Sequence, residues 1–103
     1  MMSEEDKLRD EIGAMMADGL ETITEPFPKN HFLFDAIVNQ VAEVPKENVK
    51  RKLILSGFID HPYGEDQDRC KECIYYLSNR KWCDLPALDL PVEPEWWCRL
   101  WKI

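Results

Sequence analysis

Three helix-compatible stretches with clear start and stop signals before residue 60, and four cysteines set among prolines and tryptophans after it, predict a small α-plus-irregular protein. A three-helix N-terminal half, residues 1–60, is expected to precede a loop-rich module, residues 61–103, that its thiols organise. At 103 residues a single core divides poorly, so the chain is one domain or two small joined halves. Hydrophobic residues make up 45% of it, which excludes wholesale disorder.

The first helix is punctuated by Ser3 with Asp6, a near capping box, and by acids in its first turn. Leu8, Ile12, Met15 and Met16 then recur at helical spacing, and Gly19 offers a left-handed stop. Pro26 and Pro28 make residues 21–29 a connector. Asn30 can cap a second helix over about 31–43, whose buried face holds Phe34, Ile37, Val38 and Val41, with Phe32 and Leu33 widening the stripe. Pro45 suits the first position of a third helix, because the amide hydrogen it lacks has no helical acceptor there. Val49, Leu53 and Ile54 supply that helix's buried side, and Gly57 ends it.

The pair over residues 31–56 is similar to a helix-turn-helix, with Val38, Ala42, Val44 and Val49 at the buried spacings. Lys46, Lys50, Arg51 and Lys52 would then lie on the reading helix. Asn39 and Glu43 depart from that pattern, since a small residue and a turn glycine usually stand there. The formal net charge of −7 also weighs against a polyanionic partner. Residues 1–24 alone contribute −5, residues 25–60 are balanced, and residues 61–103 contribute −2. The charge balance favours two packed helices with solvated lysines.

Beyond Phe58 the composition shifts. His61-Pro62-Tyr63-Gly64 and an acidic stretch lead into Cys70-x-x-Cys73, nine residues, Cys83, fourteen residues, and Cys98. Four thiols can close a tetrahedral zinc site or ligate one 4Fe–4S cluster, and a pair two residues apart can grip one centre from a tight turn. Pro86, Pro91 and Pro94 prevent a long helix between Cys83 and Cys98, so the segment reads as loops and short turns with one short strand or turn at residues 74–77. A bound centre would supply the stabilisation that periodic burial does not.

The sequence shows no run of eighteen apolar residues and begins Met1-Met2-Ser3-Glu4-Glu5-Asp6, acidic where a secretory leader is basic. The expected location is the cytoplasm, where a reducing poise keeps thiols free and disfavours two disulfides. Buried thiols acting as plain core residues are the remaining alternative to ligation. With four thiols at hand, His31 and His61 read as helix-start and loop residues rather than ligands.

A zinc ribbon uses two short cysteine knuckles, and only one is present, so the spacing leans towards a cluster with ligands from separate loops. Tyr75, Tyr76, Trp82, Trp96, Trp97 and Trp101 stand within three residues of a cysteine and could keep water from it.

The cysteine spacing and the tail Trp97-Cys98-Arg99-Leu100-Trp101 resemble the cluster domain of high-potential iron–sulfur proteins. They also resemble the small iron–sulfur subunits of glycyl-radical decarboxylases and succinate synthases. The resemblance covers residues 70–103. It implies that Cys70, Cys73, Cys83 and Cys98 each bind one iron of a 4Fe–4S cluster, with Trp97 and Trp101 shielding it. The gap from Cys73 to Cys83 is shorter than in the high-potential proteins, which are exported carriers. An intracellular role in electron transfer, or as an accessory or regulatory partner, is therefore expected.

No glycine-rich phosphate loop and no serine elbow is present, so the chain is not expected to be an enzyme by itself. A protein partner is expected at Trp96, Trp97 and Trp101. The alternative is a zinc-stabilised helix-turn-helix-like regulator that binds DNA or a protein, with nucleic acid contacting Lys46, Lys50, Arg51 and Lys52.

Overall fold

The expected punctuation recurs in a computed structural model, which describes residues 3–103. Met1 and Met2, part of the acidic start, lie outside the described residues. Helix α1, Glu4–Ala17, begins where the Ser3 hydroxyl accepts the Asp6 amide at 3.1 Å. It buries Arg9, Ile12 and Met16. Helix α2, His31–Glu43, begins where the Asn30 side chain accepts the Leu33 amide at 2.9 Å, and it buries Ile37 and Val41. Phe32 departs from expectation. It is 77% exposed, because the buried arc of α2 is narrower than its apolar sequence.

Helix α3, Val49–Ser56, starts later than the proline suggests. Asn48 caps it by accepting the Arg51 amide, and Pro45 lies in the preceding turn. The helix stops at Gly57, whose φ of 70° is left-handed. A Cβ there would strike the Ile23 carbonyl, so glycine serves both the turn and the close approach of the connector.

After Gly57 the chain is less irregular than its prolines imply. A 3₁₀ turn at Cys70–Glu72 leads to a three-stranded antiparallel meander, β1 Tyr76–Leu77, β2 Trp82–Cys83 and β3 Leu90–Pro91. Tyr76 faces Cys83 in the register, and Cys83 faces Leu90. A separate bridge pairs Ile59 with Trp97 and returns the tail to the end of α3.

The boundary at residues 60 and 61 separates helices from strands and turns, yet one core crosses it. Ile12, Val41, Leu53 and Phe58 belong to the same buried cluster as Leu88, Leu90, Val92 and Leu100. Three buried cations fasten the two sides through backbone carbonyls. Arg9 of α1 donates to the carbonyls of Val92, Arg80 and Lys81. Lys52 donates to Val41 at 2.9 Å and Ala87 at 2.7 Å. Arg99 donates twice to Leu55, at 3.1 and 2.8 Å. Val41 and Leu55 lie in the last turns of α2 and α3, where the helix dipole favours positive charge, and the Val41 carbonyl also accepts the Val44 amide at 3.1 Å.

Lys52 was expected on a solvated or DNA-reading face. It is 5% exposed, and burial, then the neighbouring Lys46, pull its ammonium pKa below the usual lysine value. Ala42, expected at a buried helix-turn-helix position, is exposed. Among the described residues, no helix is long and apolar enough to cross a membrane.

Candidate metal centre

The four thiols arrive from three directions and line one cavity. The 3₁₀ turn presents Cys70, and Cys73 follows at its end. The turn is anchored where the Cys70 amide donates to Trp96 at 2.6 Å and the Cys73 amide donates to Cys70 at 2.9 Å. Strand β2 presents Cys83. Cys98 comes from the tail, one residue after the Ile59–Trp97 bridge, and its carbonyl accepts the Trp101 amide at 3.0 Å. The cavity is small, with a volume of about 20 Å³, and is partly open to solvent.

Its remaining wall is apolar or aromatic, made by Phe58, Leu85, Val92, Leu100, Tyr75, Tyr76 and Trp101. Cys70, Cys83 and Cys98 are buried, whereas Cys73 is half-buried and marks the outer edge. All four are free thiols.

The three buried thiols sit where a thiolate without a counter-charge is costly. Burial, reinforced by the neighbouring thiols, pushes Cys70 and Cys98 well above the ordinary thiol value. Burial pushes Cys83 up to about 12. Amide hydrogen bonds from Leu85 to Cys83 and from Leu100 to Cys98 act in the opposite sense and favour thiolate. A pocket that opposes buried negative charge suits a cationic centre that displaces the thiol protons.

The same shifts fix a pH dependence for the metal-free chain. The unfolded chain ionises Cys83 near the ordinary value of about 9, before the folded chain does. Stability is therefore retained below that value and lost as pH rises through about 12. In metal-free protein, raising the pH from about 8 to about 10 should lower the thermal midpoint more than in a Cys83→Ala variant. Equal slopes for the two proteins contradict the buried thiol.

Of the expected shielding residues, only Trp101 lines the cavity, held by its indole N–H donating to the Arg69 carbonyl at 2.6 Å. Trp97 does not line it. Its ring is fully buried and stacks on Tyr63, centroids 3.9 Å apart and 8° from parallel, with Phe27 at 6.0 Å. The Ile59 bridge turns it away, because neighbouring side chains on extended backbone point to opposite faces. Trp96 is 6% exposed and packs beside Gly13 of α1. The expected partner surface of Trp96, Trp97 and Trp101 is thus corrected, since two of the three are interior.

Phe58, Leu85, Val92 and Leu100 went unread as wall residues, for nothing in their spacing marks them apart from the rest of the core. His31 opens α2 and His61 stands in a loop beside Asp60, and neither reaches the cavity. Glu72 is exposed and paired with Arg69 at 2.9 Å.

A tetrahedral zinc draws each sulfur to about 2.3 Å from one point. Among the described residues, no three His, Cys, Asp or Glu side chains converge so as to hold a metal ion. All four cysteines nevertheless line the one small cavity. No family model, curated protein or solved structure matches the chain.

Proposed function

We propose that this protein holds one 4Fe–4S cluster on Cys70, Cys73, Cys83 and Cys98 and serves electron transfer, or a partner enzyme, as an intracellular accessory protein. The observation that carries the reading is that all four thiols in the chain line a single, mainly apolar cavity. Four thiols can serve the four corners of a cluster, and the preference over one zinc rests on the cysteine spacing, which has a single short knuckle. The tail resembling high-potential iron–sulfur proteins supports the same assignment.

When bound, such a cluster supplies one-electron chemistry at a potential set by charge, hydrogen bonds to sulfur and solvent access. The chain's own part is to hold, dry and tune. Phe58, Val92 and Trp101 wall off water, and half-buried Cys73 leaves one edge near solvent. The rival zinc-stabilised DNA reader loses Lys52 to the interior, and Lys46 lies 3.5 Å from Asp89.

Anaerobic purification followed by absorption spectroscopy and metal analysis tests the assignment. A brown protein with about four irons and about four sulfides per chain is expected. A colourless protein with one zinc contradicts it and promotes the regulator, because zinc's filled d shell gives no visible bands.

A further inference from the structure

A second concavity lies against the cysteine chamber. It runs between the start of α2 and the C-terminal segment, with a volume of about 320 Å³, and is open to solvent. Phe27, Phe34 and Trp101 form apolar wall, while Lys29, His31 and Lys102 supply the charged or chargeable groups. Among the described residues, no Asp or Glu side chain lines it, although acids outnumber bases twenty to thirteen in the chain. Lys102 is placed over the Phe34 ring, 4.8 Å from its centroid, and among the described residues neither it nor Lys29 is in an ion pair. Apolar side chains extend the patch outward, with Phe32 77% exposed and Ile103 81% exposed.

The geometry points to a docking groove for a protein partner that presents carboxylates around an apolar side chain. The lysines complement the carboxylates and the aromatic wall takes the apolar group. A nucleic acid fits less well, since a phosphate backbone is held by a run of cations and the groove supplies two lysines and one histidine. Trp101 lines both this groove and the cysteine cavity, so one indole separates a seated partner from the four thiols. Docking stands on the groove itself, whereas its use for electron exchange rests on the cluster assignment above.

A fluorescent peptide of alternating Glu and Leu is the probe, read by anisotropy on the full chain, with iron measured on the same samples. Saturable binding is expected, weakened by added salt and at least about tenfold by the double substitution Lys29→Glu and Lys102→Glu. Lys50→Glu with Arg51→Glu changes net charge equally and should leave affinity within about twofold. Lys29→Gln with Lys102→Gln, which adds no negative charge, should fall between wild type and the reversed pair. Carbodiimide coupling should join the peptide's carboxylates to Lys29 or Lys102. Absence of binding, equal loss in the two reversed pairs, coupling only elsewhere, or equal binding of a Ser and Leu peptide overturns the groove. So does self-association of the chain that the peptide cannot displace. Binding without iron keeps the groove and removes the cluster, and iron without binding does the reverse.

Discussion

Replacing Cys98 by Ser should give a protein that purifies nearly colourless, with iron falling from about four per chain to below one. Cys98 is buried on the cavity wall, so on the proposed assignment the loss removes one ligand. A serine hydroxyl left without a partner there costs about 1–3 kcal/mol in addition. Hydrogen exchange should show residues 70–103 losing more protection than residues 4–57, since turns of two and three residues rely on the centre more than capped helices do. The same ordering is expected for serine at Cys70, Cys73 and Cys83, with the smallest folding cost at half-buried Cys73. Unchanged iron and unchanged protection in all four variants would make the thiols ordinary core residues.

The second large effect separates the tail's two tryptophans. Trp97→Ala should destabilise the fold by about 3–5 kcal/mol, the usual cost of emptying a buried aromatic site. That is a substantial part of the ~5–15 kcal/mol that holds a domain of this size. The ring fills the space between Tyr63 and Phe27 and has no exposed surface, so nothing nearby relaxes easily into the gap. Trp101→Ala should cost less, because that residue is only half-buried, but it opens the cysteine cavity. Bleaching of the visible absorption in air should therefore quicken in Trp101→Ala, while urea midpoints fall furthest in Trp97→Ala. The opposite ordering of bleaching contradicts the placement of Trp101 on the cavity wall.

The helices were legible because their signals are local. Ser3, Asn30 and Gly57 act within one turn of their own positions, and capping chemistry is written in adjacent residues. Where two start signals compete, as at Pro45 and Asn48, sequence alone does not rank them. The meander was illegible for a physical reason, since strands of two residues have no room for alternation. Arg9, Lys52 and Arg99 were also hidden, because pattern reading assigns cations to solvent while their acceptors are carbonyls set by tertiary structure.

The candidate site divides in the same way. Its four sulfurs could be named from identity and count, and the structure brings them to one cavity. Its wall could not, because Leu85, Val92 and Leu100 resemble any other core residue until the chain is folded. The neighbours of Cys98 show the limit most sharply. Trp97 and Trp101 look equivalent in sequence, yet an extended bridge followed by a turn sends one into an aromatic stack and the other to the thiols.

Native mass spectrometry of the anaerobically purified chain tests the central claim most directly, because it weighs the bound group without assuming its colour. The expected spectrum shows one species heavier than the bare chain by a single four-iron, four-sulfide core, corrected for the protons its thiolates have lost, and no such species when all four cysteines are replaced. A bare chain with four free thiols, or an increment equal to one zinc, would contradict it.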